Sequence, residues 1–302
     1  MGGLMLLDTP SLYFRAFFGV PESVTASDGT PVNAVRGLLD MIARLVRDRG
    51  PHSLVACMDA DWRPAFRVEA LPSYKAHRVG PDGGDQTPDA LATQVPVIEE
   101  VLDAFGIARV GAPGYEADDV IGTLATAHDG EVDVVTGDRD LFQLVRDDKP
   151  VRVLYTARGI KALQIVDEAE VTAKYGIPGR AYADYATLRG DPSDGLPGVP
   201  GVGDKTAAAL ITRFGSLEEV ERALDEGETS GFPAGSRLKL EKARDYLAAA
   251  RTVVGVATRI PIPAFDAEAP RTPRDPERLV ALSERWSLDS PVNRLLAALA
   301  TD

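Results

Sequence analysis

The chain has 302 residues, of which 26% are charged and 44% hydrophobic, and its formal net charge is −13. These values are typical of a globular protein with a sizeable core, and they exclude a disordered or fibrous chain. Cys57 is the single cysteine, so a disulfide framework is excluded. No apolar stretch approaches membrane-spanning length, and Asp8 interrupts the N-terminal apolar run before it could act as a signal peptide. We therefore expect a cytoplasmic protein.

A strongly negative charge argues at first against a nucleic-acid partner, because DNA and RNA favour basic proteins. The objection weakens where the acids are clustered. A nest of carboxylates filled with divalent cations is locally far less negative than its sequence suggests. The distribution of the acids along the chain therefore matters more than their sum.

Short apolar runs that end in acidic residues recur through the first half of the chain. Runs at 4–7, 54–58, 108–110 and 132–136 predict buried strands, and acids follow each of them. Residues 151–155 and 161–165 predict a hairpin. Helical patterns at 32–46 and 90–105 alternate with the strands, which predicts an α/β fold with a mostly parallel sheet. Ligands of such sheets bind beyond the carboxyl ends of the strands, so we expect the acids to converge there.

The densest acidic group lies at 114–120, where Glu116, Asp118 and Asp119 precede an apolar run with helical spacing. Glu116 and Asp119 are three residues apart and share one helix face. Helix capping is the simplest interpretation, because the macrodipole stabilises acids in a first turn, and Asp8 can likewise cap the helix that follows it. Three acids exceed what capping needs, which favours a metal site.

Further acids follow at two other places. Asp138 and Asp140 come directly after the strand at 132–136, where a tight turn can aim both the same way. Asp191 and Asp194 are three residues apart at the start of a glycine-rich stretch. Together with Asp8 and Asp59, these acids suit hard divalent cations, which prefer oxygen ligands.

The glycine-rich stretch spans residues 190–207 and leads into a helix predicted at 206–214. Glycines let backbone N–H groups approach a phosphate, and a helix N-terminus favours an anion. The stretch is not a P-loop, because Asp204 separates Gly203 from Lys205 and no strand precedes it. A helical connection without a ligand is the alternative.

A basic, aromatic stretch at 63–78 stands out in this acidic chain. Arg67, Lys75 and Arg78 could contact phosphates, and Tyr74 could stack on a base. An ordinary solvated loop is the alternative. Residues 79–88 are rich in Gly, Pro and Asp, which is typical of a mobile loop.

The chain becomes helical after residue 170, with helices predicted at 182–188, 216–224, 236–250 and 276–286 and a proline-rich connector at 260–276.

Taken in order, these motifs resemble the bacterial 5′-nuclease family, which includes stand-alone flap endonucleases, phage 5′-exonucleases and the N-terminal domain of DNA polymerase I. The resemblance rests on Asp8, on Asp59 followed by Phe66-Arg67 and Tyr74-Lys75, on Gly-Tyr-Glu-Ala-Asp-Asp at 114–119, on Thr-Gly-Asp-Arg-Asp at 136–140, and on Gly-Asp-Pro-Ser-Asp and Leu-Pro-Gly-Val-Pro-Gly-Val-Gly-Asp-Lys-Thr-Ala within 190–207. The chain ends where a polymerase I would continue, which implies a stand-alone enzyme.

The resemblance implies a PIN-like nuclease core at 1–170 with an arch at about 63–94. It also implies a helical DNA-binding part at 171–302, with a helix–three-turn–helix element at about 182–214. The implied ligands of one metal are Asp8, Asp59, Glu116 and Asp118, and those of a second are Asp138, Asp140, Asp191 and Asp194, with Asp119 helping to hold a further ion. The implied catalytic residues are Arg67, Tyr74, Lys75 and Arg78, and the implied DNA-binding residues are Gly198, Val199, Gly201, Gly203, Lys205 and Thr206.

The implied activity is Mg²⁺- or Mn²⁺-dependent hydrolysis of DNA at a 5′ end, 5′ flap or nick, with K⁺ at the glycine-rich turn. We expect a monomer with no membrane contact and a functional link to a DNA polymerase. Two departures stand out: Gly195 replaces the family's usual Asn, and the arch carries few basic residues. The alternatives are a non-catalytic protein that binds branched DNA and a PIN-type ribonuclease.

Overall fold

A computed structural model of the chain describes residues 3–80 and 83–301. Pro81 and Asp82, which belong to the predicted arch, lie outside the described residues. The centre of the fold is a six-stranded sheet with the order β3-β2-β1-β4-β5-β6. Its strands are β1 (Leu4–Asp8), β2 (Ser53–Cys57), β3 (Ala108–Val110), β4 (Val132–Thr136), β5 (Val151–Tyr155) and β6 (Gln164–Val166).

The first five strands are parallel, and β6 alone pairs antiparallel with β5. The chain runs from β1 to β2 and β3 on one side and later to β4 on the other, so β1 is the switch point of the sheet. The predicted α/β class with a mostly parallel sheet is confirmed. The predicted hairpin is also present, but its second strand begins at Gln164 because Ile160–Ala162 forms a 3-10 turn.

Fourteen α-helices lie in the described part of the chain. They are α1 (Thr9–Gly19), α2 (Asn33–Arg49), α3 (Ala65–Ala70), α4 (Asp89–Ala92), α5 (Val95–Phe105), α6 (Ala117–Ala127), α7 (Glu168–Tyr175), α8 (Tyr182–Arg189), α9 (Asp204–Phe214), α10 (Leu217–Asp225), α11 (Ser236–Lys242), α12 (Arg244–Val254), α13 (Pro276–Trp286) and α14 (Asp289–Leu299). Within these residues, no helix is both long and apolar enough to cross a membrane.

Side chains on neighbouring positions of β1 enter opposite faces of the sheet. Leu4 and Leu6 pack with α6, α8 and the later helices, whereas Met5 and Leu7 pack with α1, α2, α5, α13 and α14. This alternation is what a strand buried on both faces requires, and it explains why β1 is apolar at every position before Asp8.

Two predicted helices are each broken in the structure. The helix predicted at 90–105 is split between α4 and α5, where Pro96 lies in the first turn of α5. Buried Gln94 holds the break, since its Oε1 accepts from Ala34 N (2.8 Å) and its Nε2 donates to Asn33 Oδ1 (2.9 Å). The helix predicted at 236–250 is interrupted at Ala243, and α14 was not predicted at all.

An aromatic cluster joins the later helices to the sheet. Phe142 is 1% exposed, and its ring lies 5.1 Å from that of Tyr155 and 5.4 Å from that of Tyr182. Tyr175 and Tyr185 complete the cluster around Tyr182. The division predicted after residue 170 falls inside α7, and the cluster packs across it as one core.

We expect Phe142→Ala to lower the free energy of unfolding by about 3–5 kcal/mol, because it leaves a cavity where β5 meets α7 and α8. Phe142→Leu keeps most of the volume and is expected to cost less than half as much. Urea unfolding followed by circular dichroism measures both. Equal stability of Phe142→Ala and the wild-type chain would show that the cluster does not hold the two parts together.

Candidate metal and nucleic-acid site

A cleft of about 1150 Å³ opens at the carboxyl edge of the sheet. Five of the predicted acids line it, and they come from the ends of four different strands: Asp8, Asp59, Glu116, Asp118 and Asp138. Lys75 and Arg78 line the same cleft, together with the aromatic side chains of Tyr13, Phe14, Phe18 and Trp62. The predicted convergence of acids at this edge is therefore present.

Asp8 ends β1 and caps α1 at the same time. One carboxylate oxygen, Oδ1, accepts from Ser11 N (3.2 Å), and Oδ2 accepts from the hydroxyl of Thr136 (2.6 Å). Asp59 is held in a related way, since its Oδ1 accepts from Ala117 N (2.8 Å) at the start of α6. The capping interpretation of Asp8 is thus confirmed, and it coexists with a position on the cleft wall.

The cleft acids lie close to one another, and the pKa values of Asp8 and Asp118 are raised. Burial raises the pKa of Asp8 to about 7, and the neighbouring charges of Asp59 and Asp138 add to the shift. Burial also raises the pKa of Asp118 well above its usual range, with Asp8 as the largest charge contribution. The protein supplies too few positively charged groups to offset the charges of these carboxylates when they are ionised.

The donor set fits a hard divalent cation, because every candidate ligand is a carboxylate and a bound cation would relieve the repulsion between them. Across residues 3–80 and 83–301, no three His, Cys, Asp or Glu side chains are already arranged as ligands of one ion. The chemistry of the residues therefore fits the predicted metals, although the side chains do not form a closed coordination shell.

Glu116 is the point where the basic stretch meets the cleft. Its carboxylate accepts from Arg67 Nη1 (2.6 Å), from the Tyr74 hydroxyl (2.7 Å) and from Lys75 Nζ. It is 4% exposed. A metal bound by Glu116 would therefore compete with the ammonium group of Lys75.

Asp119 does not reach the cleft. It is fully buried, and its two oxygens each accept from the guanidinium fork of Arg67 at 2.7 Å. They also accept from Glu116 N (3.2 Å) and Ala257 N (2.8 Å). Asp119 therefore does not face the cleft in this structure, and its lone pairs are already used inside the protein.

Two of the predicted catalytic side chains are also buried. Arg67 is 2% exposed and binds two carboxylates, so its guanidinium does not face the cleft in this structure. Tyr74 is 3% exposed with its hydroxyl bound to Glu116, so it cannot stack on a base. Lys75 and Arg78 do line the cleft, and Arg78 pairs with Asp85 (2.6 Å).

The second predicted group of metal ligands is only partly assembled. Asp138 lines the main cleft and also a smaller cleft of about 410 Å³, which Asp191 lines as well. Asp140 and Asp194 line neither cleft. Burial raises the pKa of Asp140 well above its usual range and that of Asp194 to about 6, with the charge of Asp138 contributing to both.

The glycine-rich turn connects α8 to α9, as predicted, but part of it faces inward. Val199 is 2% exposed and its N–H donates to Leu188 O (2.9 Å), while Gly198 N donates to the Tyr246 hydroxyl (3.0 Å). The N–H groups of Gly198 and Val199, two of the residues predicted to bind DNA, are therefore already bonded within the protein in this structure.

The rest of the turn faces solvent. Gly201, Gly203 and Lys205 are exposed, and Thr206 is partly exposed. The helix α9 begins at Asp204, two residues earlier than predicted, so Lys205 and Thr206 lie in its first turn. These four residues stay candidates for contact with a nucleic-acid backbone.

Gly195 lies where the glycine-rich turn touches Ser73, in the segment predicted to form the arch. Its φ is +76°, and a Cβ there would come within 2.2 Å of Ser73 O. The Ser73 hydroxyl donates to Gly195 O (2.9 Å), and Lys75 N donates to Asp194 O (3.0 Å). Because residue 195 has no side chain, its backbone can approach Ser73 O this closely. The replacement of the family's usual Asn by Gly195 therefore has a local structural consequence.

Sequence reasoning missed two residues that shape the site. Buried Thr136 donates to Asp8 and accepts from Asp138 N (2.8 Å), so it links the acids that follow β1 and β4. Its position just before a Gly-Asp turn was a readable signal. Arg63 donates from Nε to Tyr74 O (2.6 Å), a contact that no sequence pattern indicates.

We expect Arg67→Met to lower the free energy of unfolding by about 3–5 kcal/mol, because it leaves buried Asp119 without a cation and Glu116 with Lys75 alone. Arg63→Met removes hydrogen bonds to carbonyl groups only and is expected to cost about 1–2 kcal/mol. Urea unfolding of both variants provides the comparison. Equal losses would mean that the buried ion pairs contribute nothing beyond ordinary hydrogen bonds.

We expect Asp118→Asn to stabilise the metal-free protein by about 0.5–2 kcal/mol at pH 8. The folded state raises the pKa of Asp118 well above its ordinary value near 4. The folded wild-type chain therefore loses stability as the pH rises above about 4. The gain should therefore vanish near pH 4. Thermal unfolding in EDTA at both pH values, with exposed Asp148→Asn as the control, measures it. A gain of the same size at both pH values would contradict the argument.

Two family models match consecutive parts of the chain. The 5′-3′ exonuclease N-terminal resolvase-like domain matches residues 3–176, and the 5′-3′ exonuclease C-terminal SAM fold matches residues 177–277. A 5′-3′ exonuclease of Streptomyces coelicolor is 59% identical over 98% of this chain and 99% of its own length. A DNA polymerase I of Mycobacterium tuberculosis is 47% identical over 74% of this chain but only 24% of its own length.

The same fold occurs among solved structures. The bacteriophage T5 flap endonuclease, in a pseudo-enzyme-product complex with DNA and metal ions, superposes with a TM-score of 0.64, covering 99% of this chain and 100% of that one at 17% identity. The predicted fold, a PIN-like core followed by a helical part, is confirmed. The predicted family is confirmed as well: this chain is a member of the 5′-3′ exonuclease family.

Proposed function

We propose that the protein is a divalent-metal-dependent 5′-nuclease that hydrolyses DNA phosphodiesters at 5′ ends, 5′ flaps and nicks. One observation carries the proposal. Carboxylates from four separate strand ends line one cleft, and the cations Lys75 and Arg78 line it too. Acids alone would repel a phosphate, and cations alone could not activate water, so the combination supports phosphodiester hydrolysis.

The residues proposed to hold one cation are Asp8, Asp59, Glu116 and Asp118, and those proposed for a second are Asp138, Asp140, Asp191 and Asp194. Bound Mg²⁺ or Mn²⁺ would supply activation of water and stabilisation of the leaving oxygen. The protein itself orients the acids, since Thr136 fixes Asp8 and Ala117 N fixes Asp59.

Lys75 also has a role in the proposed mechanism. Its ammonium pairs with Glu116 in the structure, and its backbone has a left-handed φ of 47°, a conformation that non-glycine residues seldom adopt. The hydrogen bond from Lys75 N to Asp194 O helps to hold it there. We infer that the ammonium group of Lys75 leaves Glu116 and pairs with the scissile phosphate when substrate and metal enter the cleft. Arg78 would assist from the arch.

The similar proteins support a proposal for the substrate and the partners. Relatives described as DNA polymerase I support a functional link to a polymerase, and solved neighbours in complex with DNA support a DNA substrate. We propose that the exposed part of the turn, at Gly201, Gly203, Lys205 and Thr206, contacts the duplex backbone. We further propose K⁺ at this turn, a monomer in solution and a cytoplasmic place of action.

We expect Asp138→Asn to reduce cleavage of a 5′-labelled flap substrate by at least about 100-fold, because it removes a proposed metal ligand. Binding of the flap should persist. The assay compares Mg²⁺, Mn²⁺ and EDTA, with Asp148→Asn as a control that makes the same charge change on an exposed loop. Normal cleavage by Asp138→Asn would refute the assignment. Tight binding without cleavage by the wild-type chain would favour a non-catalytic DNA-binding protein, and a preference for RNA would favour a ribonuclease.

A further inference from the structure

A second cleft of about 410 Å³ lies beside the main one, and although two proposed metal ligands, Asp138 and Asp191, line it, its basic side chains have no part in the proposed function. The two clefts share Ser11 and Asp138 in their walls. The remaining lining of the second cleft comprises Gly137, Arg139, Tyr155, Lys174, Asp191 and Ser193. Because Asp191 and Ser193 begin the glycine-rich turn, this cleft lies between that turn and the acids of the main cleft.

Arg139 is a cation that is only loosely held. It lies between Asp138 and Asp140, and its side chain is 40% exposed. Within the described residues its one ion pair is with Asp191, at 4.0 Å. Asp191 keeps a closer cationic partner in Arg189, at 3.4 Å. The guanidinium of Arg139 can therefore turn toward a ligand without leaving Asp191 unpaired.

Lys174 supplies a second positive charge from α7. It is exposed, and its ammonium lies 5.2 Å from the centre of the Tyr175 ring. No carboxylate of the described part of the chain forms an ion pair with it. Two cations without tight partners are unexpected beside the two acids Asp138 and Asp191 in a chain of net charge −13.

We propose that the second cleft binds the sugar–phosphate backbone of duplex DNA immediately beside the cleavage position, with Arg139 and Lys174 contacting successive phosphates. Arginine suits a phosphate because its planar fork donates two hydrogen bonds, and lysine acts as a mobile point charge. The hydroxyls of Ser193 and Tyr155 are further donors in the same wall. This inference rests on the proposed function. It identifies the surface that duplex DNA would follow between the glycine-rich turn and the main cleft.

The geometry also explains why the ligand is duplex and not the unpaired strand. Lys75 and Arg78 line the main cleft and are absent from the lining of the second cleft. A strand held at the exposed turn would pass the second cleft before it reaches Asp138. An unpaired 5′ strand that leaves under the arch would not.

The test is binding of DNA with Ca²⁺ in place of Mg²⁺, measured by fluorescence anisotropy across a range of salt concentrations. Arg139→Gln and Lys174→Gln should each weaken binding of a flap duplex and lower the slope of log K against log salt by about 1, because each removes one phosphate contact. The double variant should lower the slope by about 2. Affinity for a single-stranded oligonucleotide should be unchanged.

Arg47→Gln is the matched control, because Arg47 is an exposed arginine in the last turn of α2, at the opposite edge of the sheet. An unchanged slope in both cleft variants, or an equal loss of affinity for duplex and single strand, would overturn the inference. If Arg139→Gln failed to fold, the exposed Lys174→Gln would still decide the question.

Cleavage by the wild-type chain in Mg²⁺ separates this inference from the proposed function. Cleavage with unchanged slopes would remove the subsite and keep the nuclease. Reduced slopes without cleavage would keep the subsite and remove the nuclease.

Discussion

The buried guanidinium of Arg67 is the interaction on which the site depends. It donates to Glu116 and Asp119 on the acidic helix α6, and its Nε donates to Val253 O (3.1 Å) at the end of α12. Arg67 itself lies on α3, at the base of the arch. Burying three charges is costly, and the cost is offset only because nearly every donor and acceptor is matched. One side chain thus fixes the arch, the acids and the C-terminal helices relative to each other.

Apart from Glu116, which pairs with Arg67, the acids of the cleft have few positively charged partners. Burial raises the pKa of Asp8 to about 7 and that of Asp118 well above its usual range, so the folded chain carries these carboxylates at a cost. Sites that are poised for ligands commonly show such shifts, because the missing charge comes with the ligand. The net charge of −13 is therefore partly a property of the site and does not oppose a DNA substrate.

The sequence was sufficient for the strands and for the position of the site, because a short apolar run followed by an acid has few structural solutions. It was insufficient wherever the outcome depended on tertiary contacts. The break at Gln94 needs the hydrogen bonds to α2, and no local pattern at Ala243 indicates the second break. A motif likewise specifies residue types but not side-chain directions, so Asp119 and Tyr74 were assigned to the cleft although the Arg67 fork and Glu116 hold them inside.

Two glycines determine how the turn and the arch are coupled. A Cβ at Gly195 would meet Ser73 O, and one at Gly198 would meet Arg189 O, each at 2.2 Å. The turn is therefore in backbone contact with the base of the arch on one side and with the end of α8 on the other. Ser73 O is also held within its own segment, since it accepts from Ala76 N (3.1 Å). A duplex gripped at the turn would consequently be held at a constant distance from Asp138, and the position of the cut would be set by the fold and not by the sequence of the DNA.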